Sequence, residues 1–236
     1  MSALANRATL EREQRGIERS QIVQRARLGL VPYLTADAWQ RVRAQQIAKG
    51  ERPEIVVLMQ HQAVYTQGRR GGREHVLHAL NAPIVDTDRG GDLTFHGPGQ
   101  LVLWPLLRLR ERGIGIARYI RGLEEIAIRT ASVFGVDADR VSGRPGAWIA
   151  NRKLASVGVR IQSGVSRHGM AFNCNVDLSW FDSIRACGIA DSTATSLSAE
   201  LKTQVTVAEC AAVLEQCVAE VFDLKLSPVS GLRIAE

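Results

Sequence analysis

The segment 89–104 constrains this chain more than any other part of its sequence. It reads R-G-G-D-L-T-F-H-G-P-G-Q-L-V-L-W, so four glycines and a proline stand among polar side chains just before an apolar run. Glycine permits positive φ and lets a ligand approach the backbone closely, and proline stiffens the turn. Arg89, Thr94, His96 and Gln100 add a fixed charge, a hydroxyl, an imidazole and an amide. The segment therefore predicts a binding loop anchored on the buried strand that the apolar run forms.

The length and charge of the chain limit its domain organisation and its partners. At 236 residues it is long enough for one large domain with a full core. Half of the net charge of +6 lies in residues 1–27, which hold six arginines and three glutamates. We therefore predict a charged N-terminal extension over 1–27 and one catalytic domain over 28–236. No basic run is interleaved with aromatic residues, which disfavours nucleic acid, and no apolar run approaches the ~18 residues that cross a membrane.

Cysteine usage and the N-terminus indicate the compartment. The cysteines show neither C-x-x-C spacing nor a zinc pattern, and they stand at Cys174, Cys187, Cys210 and Cys217. The N-terminus lacks the apolar core of a secretory signal, and its glutamates argue against an organellar transit peptide. The sequence predicts a cytoplasmic protein without a bound metal.

Apolar periodicity predicts both helices and strands along the chain. Helices are expected over 35–49, 116–134 and 207–222, and strands over 54–59, 83–86, 101–107, 148–150, 154–161 and 168–176. Thr35 or Asp37 would cap the first helix, whose buried side would carry Trp39, Val42 and Ile47.

Two local patterns predict how elements begin and join. Asn151 and Arg152 separate two strands, and asparagine tolerates the left-handed conformation that a tight turn needs. Thr206 and Glu209 have the spacing of a capping box at the start of the last helix.

Two side chains are candidates for the chemistry. Cys187 precedes a glycine and lies outside any periodic pattern, so it could present a thiolate from a partly open loop. Cys174 sits in strand alternation and suits packing, although it could lie near the same pocket. Lys153 begins an apolar strand, so its ammonium is either partly desolvated or an ordinary solvated hairpin lysine.

Histidines offer an alternative to the lysine. His96 or His168 beside the thiol would make a Cys-His dyad. Histidines next to glycine loops are also often structural. The sequence suggests no third ligand that joins them at a metal site.

Several segments together resemble the motifs of bacterial octanoyltransferases, the lipoate-protein ligase B family. The likeness covers residues 65–197 and lies in R-G-G-D-L-T-F-H-G-P-G-Q from Arg89, V-Y-T-Q-G-R from Val64, G-R-P-G-A-W-I from Gly143, K-L-A-S-V-G from Lys153, H-G-M-A-F-N from His168, C-G-I from Cys187 and T-S-L from Thr195. Several positions depart from the family pattern. Trp104 replaces a usual tyrosine and Ala186 a usual proline, and Gln60 and Gln62-Ala63 stand where the family usually has E-H-P-P.

The resemblance implies an α/β (α+β) fold, a biotin/lipoate protein ligase-like catalytic domain with a mixed β-sheet flanked by helices. Its activity would be transfer of an octanoyl group from octanoyl-acyl carrier protein to a lysine of lipoyl domains, through a thioester on Cys187 with Lys153 as its catalytic partner. The acceptors would be the lipoyl domains of 2-oxoacid dehydrogenases and the glycine cleavage H protein. The acyl pocket would be lined by Arg89, Gly90, Gly91, Asp92, Leu93, Thr94, Phe95, His96, Ser156, Val157, Gly158, Gly169, Met170 and Ala171.

No cofactor is expected, because a thioester is already activated and needs neither ATP nor a metal. One alternative is an ATP-dependent lipoate/biotin-type protein ligase on the same scaffold, although the G-R-G-R-x-x-x-x-W pattern of biotin ligases is absent. Another is a catalytically silent acyl-binding relative.

Overall fold

A computed structural model describes residues 22–185, 193–229 and 231–234 of the chain. The strands are β1 (Ile22–Val31), β2 (Ile55–His61), β3 (Val64–Gln67), β4 (Ile84–Asp86), β5 (Leu93–His96), β6 (Gln100–Leu106), β7 (Asp139–Val141), β8 (Arg144–Ile149), β9 (Arg152–Gln162), β10 (Val165–Asn173), β11 (Thr193–Ala194) and β12 (Lys225–Pro228). The helices are α1 (Tyr33–Ala48), α2 (Ile116–Val133), α3 (Leu197–Leu201) and α4 (Val207–Phe222).

The described residues form a large mixed sheet and a small one. The large sheet has the order β12-β1-β2-β6-β10-β9-β8-β7, with β11 paired to β9. Its β1 pairs are parallel, and the pairs from β2 to β9 are antiparallel. The small sheet has the order β4-β3-β5. This confirms the predicted mixed sheet with flanking helices.

Helices cover both faces of the large sheet. The periodic apolar residues of α2 pack with those of α4 on one face, where Leu123, Ala127 and Leu214 are fully buried. On the other face α1 packs through Ala36 and Ile47. Both faces of the central strands are therefore dry, which explains why β6 reads as a continuous apolar run.

The first strand corrects the predicted domain boundary. Residue 27 lies inside β1, whose Gln24 to Arg27 pair with Ile55 to Leu58 of β2. Two arginines assigned to the extension, Arg25 and Arg27, bind Glu215 of α4. Residues 22–27 therefore belong to the sheet, because this paired strand carries polar side chains that conceal it in the sequence. Residues 1–21 lie outside the described residues.

The predicted cap of α1 was wrong, and its predicted buried side was confirmed at Ile47 but wrong at Val42. Pro32 precedes the helix, and neither predicted residue caps it. Val42 is 56% exposed, whereas the polar residues Asp37, Gln40 and Arg43 are buried. Hydrophobic periodicity failed here because the helix packs partly through hydrogen bonds.

Of the two local patterns at other element ends, one was confirmed and one was displaced by one residue. The capping box of Thr206 and Glu209 is present. In the β8–β9 turn the left-handed residue is Ala150, with φ 52°, rather than Asn151, because β8 ends one residue earlier and β9 begins two residues earlier than predicted. No helix among the described residues is long and apolar enough to span a membrane.

Candidate active site

Three central strands form the floor of a narrow cavity. Ser156 of β9 lies opposite Ala171 of β10, which lies opposite Val102 of β6. One step along, Gly158 lies opposite Gly169. Directly opposed residues of antiparallel strands point to the same face. The floor is therefore built of small side chains on β9 and β10 and of larger ones on β6.

The glycine-rich segment forms the roof of this cavity. The Gly90 amide donates to the Val159 carbonyl at 2.9 Å, which fastens the roof to β9. Arg89 donates to the carbonyl and hydroxyl of Thr66 at 2.6 and 2.8 Å, so its buried guanidinium is held by β3. A Cβ at Gly158 would lie 2.8 Å from the Gly90 carbonyl oxygen. Roof and floor thus approach so closely that glycine is required, and the cavity measures about 40 Å³.

Most of the predicted pocket residues meet at this cavity. The lining includes Arg89, Gly91, Asp92, Thr94, His96, Ser156, Val157, Gly158, Gly169, Met170 and Ala171. The side chains of Leu93 and Phe95 are elsewhere: they pack with Tyr65 in the core of the small sheet, because alternation along β5 turns them away. Gly90 does not line the cavity, and its contribution is the hydrogen bond from its amide to Val159 of β9.

An aromatic cluster that the sequence analysis did not assign closes the β6 end of the cavity. The Tyr33 ring stacks on His96, with centroids 5.7 Å apart, and meets Trp104 edge-on at 6.0 Å. His61 joins the cluster at 5.0 Å from Tyr33. The Tyr33 hydroxyl and His61 Nε2 are buried without a hydrogen-bond partner in the described part of the chain. No local pattern signals this cluster, because its members come from four separate segments.

His168 lines the cavity beside Trp104 from an unusual backbone conformation. Its φ of 55° is left-handed within β10, and Gln40 stabilises it by accepting from the His168 amide at 2.8 Å. The Gln40 amide lies 3.0 Å from His168 Nδ1, and Asp88 Oδ1 lies 3.0 Å from Nε2. Gln40 of α1 therefore holds Nδ1 of His168, and Asp88, directly before the roof segment, holds Nε2.

Two carboxylates lie close to His168, whereas His96 is not part of this group. Asp37, Asp88 and His168 offer ligand atoms within 4.8 Å of one another, because α1 and the roof both pack against β10. Arg41 donates to both carboxylates, and Arg167 donates to Asp88. Two guanidinium groups already balance the two carboxylates, so this arrangement does not suit a cation. The hydrogen bond from His168, together with Arg167, lowers the pKa of Asp88.

Burial keeps the histidines of the cavity neutral. Desolvation lowers the pKa of His61 to about 4, and it lowers the pKa values of His96 and His168 as well. His96 Nδ1 lies 2.7 Å from Gln100 Oε1, and Nε2 lies 3.3 Å from the Thr66 hydroxyl. Both nitrogens of His96 are thus occupied by structural partners, which argues against a Cys-His dyad through this residue.

Lys153 is a buried residue beside the cavity. Its side chain lies under the Trp148 ring, with Nζ 4.9 Å from the centroid, and the residue is 8% exposed. A Cβ on Gly146 would lie 2.9 Å from Lys153 Cε, and Gly146 is paired with Ser156 of the floor. The lysine therefore runs along the sheet towards the β9 end of the cavity, as a desolvated rather than a solvated hairpin residue.

The described cysteines are core residues. Cys210 is fully buried and Cys217 is 4% exposed, as expected for the apolar face of α4. Burial, followed by a hydrogen bond with Cys210, raises the pKa of the Cys174 thiol well above its usual value. A thiol in that environment is a poor nucleophile. Cys187 lies in 186–192, outside the described residues, so its predicted place in a partly open loop stays a prediction.

The ends of the chain on either side of 186–192 are both near the cavity. The Arg185 amide donates to the His75 carbonyl at 2.7 Å, and His75 Nδ1 lies 2.7 Å from a carboxylate oxygen of Asp92 in the roof. On the other side, Ala194 of β11 is paired with Lys153.

Comparisons with known proteins agree with this arrangement. The model of the lipoyl protein ligase A/B catalytic domain matches residues 32–219. An octanoyltransferase of Thermobifida fusca (strain YX) is 42% identical over 201 residues, which cover 81% of this chain and 85% of that protein. One from Mycobacterium tuberculosis (strain ATCC 25177 / H37Ra) is 43% identical over 199 residues, with 83% and 85% covered.

A solved structure extends the likeness of the fold. A T. acidophilum protein assigned as a lipoate protein ligase superposes with a TM-score of 0.67 over 88% of each chain, at 12% identity. At that identity the match speaks for the fold alone.

Proposed function

The chain belongs to the lipoyl protein ligase A/B catalytic domain family and, within it, to the octanoyltransferases, and we propose on this premise that it works through a thioester on Cys187. The donor is octanoyl-acyl carrier protein. The acceptors are lysines on lipoyl domains of 2-oxoacid dehydrogenases and on the glycine cleavage H protein.

Two acyl transfers make up the proposed reaction. The Cys187 thiolate attacks the carbonyl carbon of the donor thioester, and the tetrahedral intermediate expels the carrier thiolate, which takes up a proton. The ε-amine of the acceptor lysine then attacks the new thioester, loses a proton and expels the Cys187 thiolate. The product is an amide, and the enzyme returns to its starting state.

Lys153 acts as the partner of the thiolate. As an ammonium it stabilises the thiolate electrostatically, it protonates the leaving carrier thiol, and as an amine it accepts a proton from the attacking lysine. The Trp148 ring supports this role, because an aromatic face stabilises a cation that burial has removed from water.

Chain connectivity supports the proposed meeting of the two residues. Cys187 follows Arg185 by two residues in the sequence, and Arg185 is tied through His75 to the roof. Six residues after Cys187, Thr193 is paired with Arg152, directly before Lys153. The described residues on either side of 186–192 therefore lie at the roof of the cavity and at the strand of the lysine.

The observation that carries the proposal is the position of Lys153 on the strand that forms one side of the floor. Ser156 follows it by three residues, which corresponds to about 10 Å of strand. The lysine side chain lies against Gly146, the neighbour of Ser156. A buried cation and the floor of the narrow cavity thus share one strand.

Mass spectrometry of the intact enzyme after mixing with octanoyl-acyl carrier protein tests the proposal. We expect one octanoyl adduct, mapped to Cys187 by proteolysis. Cys187→Ser should abolish octanoylation of the lipoyl domain. Cys174→Ser is the matched control and should keep most of the activity, because that thiol is buried in the core. An adduct on Cys174, or full activity of Cys187→Ser, would contradict the proposal.

The family also supports a second candidate, an ATP-dependent ligase, since the fold neighbours include lipoate-protein ligase A bound with ATP, at a TM-score of 0.60. Octanoylation of a lipoyl domain from free octanoate and ATP, without the carrier thioester, would favour it.

A further inference from the structure

We propose that the octanoyl chain lies across the strands, from β9 over β10 to β6, and that Trp104 is the end wall that sets its length. This inference rests on the proposed function of the cavity. It adds an orientation for the acyl chain and a residue that determines specificity.

The register of the floor gives the direction. Ser156, Ala171 and Val102 form one row across the three strands, and all three line the cavity. Gly158 and Gly169 form the next row. Both rows are open over β9 and β10, because their residues have small side chains or none. Lys153 lies at the β9 end, so the acyl carbonyl belongs there and the terminal methyl belongs at β6.

The width of the floor agrees with an eight-carbon chain. Neighbouring strands are about 4.8 Å apart, so the path from β9 to β6 measures about 10 Å. An extended chain of eight carbons, with C–C bonds of about 1.5 Å, spans about 9 Å from its first to its last carbon. A fully extended octanoyl chain therefore reaches β6 and ends there.

Trp104 lies two residues from Val102 along β6 and closes the second row, that of Gly158 and Gly169, at that point. The residue is 3% exposed, and its ring lies 6.0 Å from Tyr33, 5.6 Å from His61 and 5.6 Å from His168, measured between centroids. Three rings around the indole prevent it from turning aside. Beyond it, the next strand is β2, where Val57 is paired with Trp104. A smaller residue at 104 would extend the groove towards β2.

The cavity of about 40 Å³ is narrower than an octanoyl chain, so binding must widen it. The floor is held by the ladders of the central sheet, whereas the roof meets β9 at Gly90. Widening therefore lifts the roof away from the floor. It leaves the distance from β9 across the floor to Trp104 unchanged.

The test is a profile of donor chain length, measured as kcat/KM with hexanoyl-, octanoyl-, decanoyl- and dodecanoyl-acyl carrier protein. One methylene too many in a closed apolar site costs about 10-fold or more. We expect the enzyme to prefer octanoyl over decanoyl by at least about 10-fold, and Trp104→Leu to reduce that ratio to about 1. Trp104→Phe, the more conservative change, should give an intermediate ratio.

Two further variants separate pocket effects from damage to the fold. Phe172→Leu shortens a fully buried aromatic of β10 that packs in the core with α2 and α4, and it should leave the octanoyl-to-decanoyl ratio unchanged. Ala171→Val narrows the middle of the row, so it should shift the preference to hexanoyl.

The outcomes are distinct. Absence of acyl transfer from any donor by the unmodified enzyme would contradict the proposed function. Transfer of octanoyl without a length limit, or an unchanged ratio in folded Trp104→Leu or Trp104→Phe, would overturn the end wall alone. An unchanged preference in Ala171→Val would overturn the orientation.

Discussion

The Lys153 ammonium lies 4.9 Å from the centroid of the Trp148 ring, and the two residues occupy paired positions on β9 and β8. The hairpin that joins these strands therefore holds a cation against an aromatic face within the protein interior. This relationship distinguishes Lys153 from the exposed basic residues that make up most of the positive charge.

The first prediction concerns this lysine. Lys153→Ala should slow octanoylation of the enzyme by at least about 100-fold, the usual contribution of a positioned acid-base group. Stopped-quench mass spectrometry gives the rate. Lys49→Ala is the control, since that side chain is 71% exposed, and it should leave the rate unchanged. Equal rates for Lys153→Ala and the unmodified enzyme would remove the lysine from the mechanism.

The second prediction concerns the packing of β10 on β6. A methyl group on Gly169 would clash with the Leu103 carbonyl oxygen and lie 2.9 Å from Pro105 Cδ. Gly169→Ala should therefore reduce the free energy of unfolding by about 1–3 kcal/mol. Gly29→Ala in β1, where no atom lies within 4 Å of the new methyl, should change it by less than about 0.5 kcal/mol. Urea denaturation measures both, and equal effects would contradict the close approach.

The third prediction concerns the anchoring of β1. Arg27 donates to both oxygens of Glu215 at 2.6 and 2.7 Å, and these bonds raise the pKa of Arg27. Glu215→Gln removes the charge that Arg27 binds, so it should lower the free energy of unfolding. The loss should be only about 1 kcal/mol, because the partly exposed arginine is rehydrated in the variant. Glu220→Gln on the same helix, with a side chain 50% exposed, should have a smaller effect in the same thermal or urea titration. A larger loss in Glu220→Gln would count against this role for Glu215.

The fourth prediction is a dependence of stability on pH. The pKa of His61 is about 4 in the folded protein and about 6.5 when unfolded. Between these values the unfolded chain binds a proton that the folded chain does not, so stability falls as the pH decreases from 6.5 to 4. The loss from this residue is at most about 3 kcal/mol.

Urea denaturation between pH 4 and pH 8 tests this dependence. His61→Gln should flatten the profile, and His78→Gln, which replaces an exposed histidine, should not. His96 and His168 act in the same direction, so a residual slope remains in the variant. A profile that is equally steep with and without His61 would show that its burial does not control the titration.

The sequence by itself determined the three long helices, the central strands of the large sheet and several of their ends. The capping box of Thr206 and Glu209 and the apolar period of α2 depend on residues within a few positions of one another, so local chemistry fixed them. The family was also evident from the glycine-rich segment and the motifs after Lys153. The pairing of Cys187 with Lys153 stays a prediction.

Only the tertiary structure decided how the cavity ends and what surrounds His168. Tyr33, His61, His96 and Trp104 meet because α1, β2, β5 and β6 converge. The left-handed His168 depends on Gln40, which is 128 residues away in the chain. Such contacts have no local signature, because each residue alone is compatible with many positions in a fold. The sequence did not predict β1 for the same reason, because its polar residues Arg25 and Arg27 hydrogen-bond to Glu215 of α4.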